Sequence, residues 1–228
     1  GPKATVFEIV IQSGAILAIC IEYRRRFADV FRGLASDRVQ QRFVLNLAIA
    51  FTPLAVLGLA FKKHIEAYLF KPVPVAMAFI VGGLIILWAE RRTHVVRIET
   101  VDQLTPIDAL KLGLAQALAL IPGTSRSGAT IIGGLFFGLS RKAATEFSFF
   151  LAIPTMLGAS ALDLYKARDL LQASDLVSIA IGFVVALVSA FVVVRAFVGF
   201  IQRHTFDVFG WYRIAAGVVM AAVLWAFA

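Results

Sequence analysis

The densest concentration of chemistry-bearing residues in this chain is Pro122-Gly123-Thr124-Ser125-Arg126-Ser127-Gly128-Ala129-Thr130. Gly123 and Gly128 let backbone N–H groups approach a ligand closely, and a helix beginning near Ser127 turns its positive dipole end toward the loop. Thr124, Ser125, Ser127 and Thr130 add hydroxyls, and Arg126 adds a planar fork of donors suited to phosphate oxygens. The segment reads as an anion cradle. Its surroundings are apolar, and an arginine near the centre of a bilayer costs about 2.5–3.5 kcal/mol on insertion scales, so such residues usually mark function. The bland reading is an Arg126 that pairs with a distant carboxylate and only locks the loop. A lock has no need of four hydroxyls and two glycines.

The elements that position this loop follow from composition. Of 228 residues, 60% are hydrophobic and 16% charged, with a mean hydropathy of +0.87. Soluble domains run near 45–50% apolar and about 25% charged, so lipid must cover part of this surface. The net charge of +8 sits in short stretches between apolar runs, which is a topology signal and not a nucleic-acid face. Cys20 is the only cysteine and lies in an apolar run, which excludes a disulfide framework and reads as core or lipid-facing filler.

Six stretches approach the roughly 20 helical residues that cross a bilayer: Val6–Tyr23, Phe43–Phe61, Val73–Trp88, Ala143–Tyr165, Leu176–Phe197 and Trp211–Ala228. Between the third and fourth, Pro106–Ile121 and Ser127–Leu139 are two shorter helical pieces broken at Pro122-Gly123. They predict a re-entrant hairpin over residues 106–139, tolerated only where protein or a wet cavity surrounds it. The fold class is therefore all-α and polytopic. Three spans precede the hairpin and three follow, so 1–105 and 106–228 read as half-repeats of opposite orientation, with a site near the midplane. Symmetry predicts a further hairpin of roughly 35–45 residues upstream of Gly1, where the chain begins Gly1-Pro2-Lys3 without Met.

The motif is also recognisable. Gln116-Ala-Leu-Ala-Leu-Ile-Pro122-Gly123-Thr124-Ser125-Arg126-Ser127-Gly128-Ala-Thr130, then Glu146-Phe-Ser148 through Pro154, and upstream Phe7-Glu8 through Gln12-Ser-Gly14-Ala15, resemble the undecaprenyl-diphosphate phosphatase family, also known as the bacitracin-resistance phosphatases. The resemblance covers essentially the whole chain. It implies a multi-pass protein of the bacterial inner membrane that hydrolyses undecaprenyl diphosphate to undecaprenyl phosphate, recycling the carrier for cell-wall synthesis, with a site opening outward and a divalent cation, Mg or Ca. Members also carry an N-terminal motif of two glutamates four residues apart, then Pro, two Ser and a His. Nothing before Thr5 supplies it, and His64, His94 and His204 are expected in loops without that context. The likeliest catalytic carboxylate is then expected upstream, and these residues alone are expected to release little phosphate. No ligands for the cation are identifiable.

In this reading Arg126, Ser125 and Ser127 are the catalytic candidates, and Gly123, Thr124, Gly128, Thr130, Gln116 and Gln12 the substrate-binding ones. Either serine is a candidate nucleophile, needing a base that the loop does not offer. Gln12 and Gln116 could equally bond a neighbouring helix. Glu8 and Glu146 are candidate acidic residues, or carboxylates stabilised at helix N-termini. Pro154 is expected to kink its helix, and Trp211, Tyr212 and Arg213 read as interfacial anchors. The partners are a polyprenyl diphosphate and membrane lipids, without nucleic acid; a homo-oligomer is compatible with the pattern. The rival class is an anion or lipid-phosphate transporter, which places helix N-termini at a midplane anion in the same way.

Loop charges set the orientation. Arg24, Arg25, Arg26, Arg32, Arg38 and Arg42, with Arg91, Arg92, Arg97, Arg141, Lys142 and Arg203, fall on one side if 106–139 enters and leaves there. Lys62, Lys63, Lys71, Lys166 and Arg168 fall on the other. Single cysteines at positions 32 and 91 should therefore resist a membrane-impermeant maleimide in intact cells while one at 166 is labelled. Labelling at 91 from outside would reverse the orientation.

Overall fold

The computed structural model describes residues 2–167 and 176–227, with side chains for 7–158 and 177–227. Arg168 and Ala228, used in the loop count and in the last span, lie outside the described residues. Among the described residues the chain is all-helical: α1 Pro2–Glu22, α2 Arg24–Gly33, α3 Arg38–Tyr68, α4 Pro72–Glu90, α5 Pro106–Ala117, α6 Arg126–Phe136, α7 Arg141–Ala167, α8 Leu176–Ile201 and α9 Asp207–Ala226. Each of the six expected spans is a helix, mostly longer than its apolar run. The second continues to Tyr68, which places His64 within α3 and not in a loop. α7 runs through Pro154.

Among the described residues, four helices are long and apolar enough to cross a membrane: Arg38–Tyr68, Pro72–Glu90, Val177–Ile201 and Asp207–Ala226. Their outward faces match that use. Val177, Ile181, Val184, Val188 and Val192 all stand exposed on α8, a stripe at helical spacing that water would penalise and lipid would not. The first loop holds a helix that the sequence reading does not foresee. α2 has Arg24, Arg25, Arg26 and Arg32 on a strongly amphipathic turn pattern and no buried residue, the character of a helix lying in a membrane interface.

The contacts divide the chain into two compact units, residues 1–41 with 149–200 and residues 42–148 with 201–228. This division crosses the proposed halves 1–105 and 106–228, because each unit takes segments from both. In the first unit, Ile19, Ala152 and Val194 are packed with Tyr23, Phe149 and Ile153. Tyr23 meets Phe150 edge-on at 4.9 Å, and Arg195 donates to Glu22 at 2.7 Å.

The second unit is built on the pairing of α4 with α9. A Cβ on Gly83 would lie 2.6 Å from the Gly210 carbonyl oxygen, and one on Gly217 would lie 2.9 Å from that of Ala76. Small residues seven apart on each helix thus let the two backbones touch, the usual way helices associate in lipid. As the number rises along α4 it falls along α9, so the helices run antiparallel.

Next to this pair, α5 and α6 form a hairpin. Its two ends are clasped: Ile98 bridges Leu139, the Ile98 amide donates to Gly138 O at 3.0 Å, and the Ser140 amide donates to Ile98 O at 2.8 Å. Arg97 Nη2 donates to Asp108 Oδ1 at 2.7 Å and to the Phe137 carbonyl at 2.8 Å, joining the start of α5 to the end of α6. Thr105 and Asp108 form a capping box at the first turn of α5. Burial would raise the Asp108 carboxyl, but hydrogen bonds from Thr105 and Arg97 outweigh it and hold it below the usual carboxylate value.

A carboxyl depressed in the folded state stabilises the fold above its unfolded pKa of about 3.9, and the contribution is lost as pH falls through the folded value. Thermal unfolding in detergent should therefore show wild type losing stability below about pH 4. Asp108→Asn should be less stable at pH 7 by about 1–3 kcal/mol and should lose less on acidification.

Candidate functional site

The loop between α5 and α6 is where the sequence places it, with the second helix starting one residue earlier than expected, at Arg126. After α5 a single 3-10 turn, Leu118–Leu120, leads to Pro122. The Thr124 amide donates to Ile121 O at 3.1 Å. Gly123 has φ 92°, and a Cβ there would lie 2.7 Å from the Val75 carbonyl oxygen, so only glycine fits both the backbone and the space. Ser125 has φ 70° without being glycine, a strained conformation that persists where surroundings impose it and that clusters at functional sites.

Ser125 is the N-cap of α6: its Oγ accepts from the Gly128 amide at 3.2 Å. The Ala129 amide donates to Ser125 O at 2.9 Å. The amides of Arg126 and Ser127 then have no acceptor among the described residues, and they lie at the positive end of the helix. Ser125 Oγ lies 3.5 Å from Ser127 Oγ. Two residues differ from their expected part. The Gly128 amide is committed to Ser125 and is not a donor for a ligand. The Thr130 hydroxyl, fully buried, donates to Arg126 O at 2.9 Å and is not free to donate elsewhere.

Arg126 Nη1 donates to the Ser148 carbonyl on α7 at 3.1 Å. Among the described residues it has no carboxylate partner. Glu146 is half-buried two residues before Ser148 on the same helix. Gln116, on α5, is completely buried, and neither its Nε2 nor its Oε1 has a partner among the described residues. An amide left so costs stability unless something bonds it. Thr124 faces the α4 side of the hairpin. Gln12 and Glu8 are exposed on α1, in the first unit. The structure thus brings Gly123, Thr124, Ser125, Arg126, Ser127, Gly128 and Thr130 into one turn, with Gln116 on the adjoining helix.

Arg213 corrects a sequence expectation. Trp211 and Tyr212 are exposed as interfacial anchors should be, but Arg213 is 8% exposed. Its Nη2 donates to Gly123 O at 2.7 Å and to Ala78 O at 3.1 Å, and its guanidinium lies 4.9 Å from the Phe79 ring centre. A Cβ on Gly82 would be 2.5 Å from Nη2. A second arginine therefore ties α9 to the cradle loop through a space that Gly82 leaves open. Its signal in the sequence is a cation in the second turn of an apolar, glycine-bearing span, and adjacency to Trp211 and Tyr212 masks it.

The Bacitracin resistance protein BacA family model matches residues 1–219. The chain belongs to that family. It is 65% identical to undecaprenyl-diphosphatase 2 of Rhodospirillum rubrum over 98% of this chain and 81% of that protein. It is 62% identical to the undecaprenyl-diphosphatase of Dechloromonas aromatica over 99% and 82%, and 57% identical to that of Pseudomonas syringae pv. tomato over 100% and 82%. Family membership and the four apolar helices together make this a multi-pass membrane protein.

Gly123→Ala adds both backbone strain and a collision with Val75 O, so it should lower folding stability by about 1–3 kcal/mol. Gly128→Ala, where the new Cβ meets only the Ser125 side chain, should cost clearly less. Melting temperatures of the two variants in detergent check the order.

Proposed function

We propose that this protein hydrolyses undecaprenyl diphosphate to undecaprenyl phosphate and inorganic phosphate at the α5–α6 loop. The observation that carries the reading is Arg126: a guanidinium with one carbonyl contact and no carboxylate partner among the described residues, beside two unsatisfied helix-end amides. Such a group is left for an external anion. The names of the relatives give that anion as a prenyl diphosphate and the reaction as its hydrolysis.

Cleavage of a phosphoanhydride depends mainly on positioning and on stabilising charge at the equatorial oxygens. Arg126 and the amides of Arg126 and Ser127 bind the terminal phosphate. Ser125, whose lone pair accepts from Gly128, keeps its O–H to donate, and Ser127 is a second donor. Water attacks the terminal phosphorus and releases its proton to solvent, the bridging P–O bond breaks, and the prenyl monophosphate leaves with the electron pair. Neither serine has an imidazole or carboxylate partner among the described residues, so the reading gives both donor roles. Arg213 is a positioning residue, acting through the Gly123 carbonyl.

The divalent cation implied by the resemblance meets hydroxyls and a guanidinium at this loop, and among the described residues no cluster of three His, Cys, Asp or Glu could hold one. The donors here do not fit a resident Mg or Ca ion, and no step is assigned to it.

The loop lies inside the bilayer in this reading, as a re-entrant hairpin of an inverted repeat in the bacterial inner membrane. The clasp of Ile98 with Leu139 supports a hairpin that leaves where it enters. The α4–α9 pair supports the repeat: with Ala76 matched to Gly210 and Gly83 to Gly217, the Gly83–Gly210 and Ala76–Gly217 contacts are mates under one two-fold. Charge bias supports a cytoplasmic hairpin base.

Phosphate release from undecaprenyl diphosphate by the full-length protein in detergent should fall by about 10²–10³ in Arg126→Lys, which keeps charge but loses the fork, and further in Arg126→Ala. Both variants should melt near wild type. Full activity in Arg126→Ala would remove the site, and anion uptake in proteoliposomes without phosphate release would favour a transporter.

A further inference from the structure

Two neighbouring cavities at the hairpin share three residues. One, of about 410 Å³, is an apolar groove between α4, α5 and α6. Leu114 and Ala115 line it from α5, Leu118 from the 3-10 turn after it, Ala129 and Ile132 from α6, and Ile85 from α4. The other, of about 420 Å³, is a polar pocket at the hairpin base with Arg92, His94, Arg97 and Lys111 in its wall. Lys111, Phe136 and Phe137 line both. The two are therefore one surface with a basic end and an apolar tail.

Two of the cations at the basic end, Arg92 and Lys111, are not spent internally. Arg97 is engaged by Asp108 and the Phe137 carbonyl. Arg92 and Lys111 have no ion pair among the described residues. Arg92 is exposed and lies over the Trp88 ring, 4.4 Å from its centre. Trp88 in turn packs on Phe136 at 5.1 Å, and His94 on Phe136 at 5.8 Å. Aromatic and basic side chains gathered this way belong to the headgroup level of a membrane.

We propose that this surface holds one anionic glycerophospholipid of the inner leaflet, with its phosphate between Arg92 and Lys111 and one acyl chain in the groove. The proposal rests on the reading of the hairpin as entering from the cytoplasmic side. Basic pockets beside transmembrane helices on that side bind anionic headgroups. Length decides the occupant. The groove follows the eleven residues of α6, about 16 Å at 1.5 Å per residue. That is close to half of a hydrocarbon core of about 30 Å, the reach of one leaflet's acyl chain and far less than an extended undecaprenyl chain. Its far end, at Thr124 and Gly128, offers no free Gly128 amide to a second phosphate. The bound lipid braces the hairpin against α4.

Native mass spectrometry of the delipidated protein, titrated with phosphatidylglycerol or phosphatidylethanolamine of identical chains, tests this. Wild type should retain the anionic lipid with a preference of about tenfold or more, as two basic side chains near a membrane surface support. Arg92→Gln combined with Lys111→Gln should cut the preference below about twofold. Leu114→Trp, which fills the groove while leaving the charges, should weaken retention of both lipids. Equal retention of the two lipids by wild type, or an unchanged preference in the double variant, overturns the proposal. So does displacement of phosphatidylglycerol by equimolar undecaprenyl phosphate, which would give the groove to the prenyl chain. Phosphate release is not the readout. A protein that hydrolyses but does not select lipid fails this proposal alone, and one that selects lipid without hydrolysing fails only the activity.

Discussion

A guanidinium among apolar helices must be given acceptors, because stripping its water costs several kcal/mol that only hydrogen bonds or a counter-ion can offset. The second unit is arranged around two such groups. Arg213 receives carbonyls from two directions, Ala78 on α4 and Gly123 in the loop. Arg126 receives one, from Ser148. The difference separates the jobs. The better-satisfied arginine holds the loop in place, and the under-satisfied one retains donors that a phosphate can use.

That division depends on how the loop is made. Gly123 must present its carbonyl to Arg213 and its bare Cα to Val75 O at once, which no other residue permits. Ser125 takes up the strain that remains and closes the turn by capping α6. The clasp at the other end, through Arg97 and the Ile98–Leu139 bridge, keeps two short helices together where neither could span alone. Loop geometry is therefore fixed from both ends and from α9, as a site that must present donors at fixed spacing requires.

Much of this was legible in the sequence because membrane proteins write their architecture in apolar run lengths. The helices, the break at Pro122-Gly123 and the cluster from Gly123 to Thr130 follow from hydropathy, helix-breaking residues and donor types. What was not legible turns on direction. Thr130 looks like a donor to a ligand until its hydroxyl is seen turned back on Arg126 O, a bond any helical threonine can make. Arg213, beside Trp211 and Tyr212, satisfies the pattern of an interfacial anchor, and only the contact with Gly123 across ninety residues shows otherwise. His64 sits in a helix because the α3 apolar run extends into a polar last turn. Pairings between distant segments carry no local mark.

The meeting of α4 and α9 through bare backbone has a mechanical consequence. With no side chains between Gly83 and Gly210, neither helix can slide along the other: a shift of one turn would drive Ile214 or Leu87 into the space the glycines leave. The second contact, of Ala76 with Gly217, lies two turns away and blocks rotation about the first as well. The pair is thus a strut, and Arg213, between the two contacts on α9, fixes the Gly123 carbonyl to it.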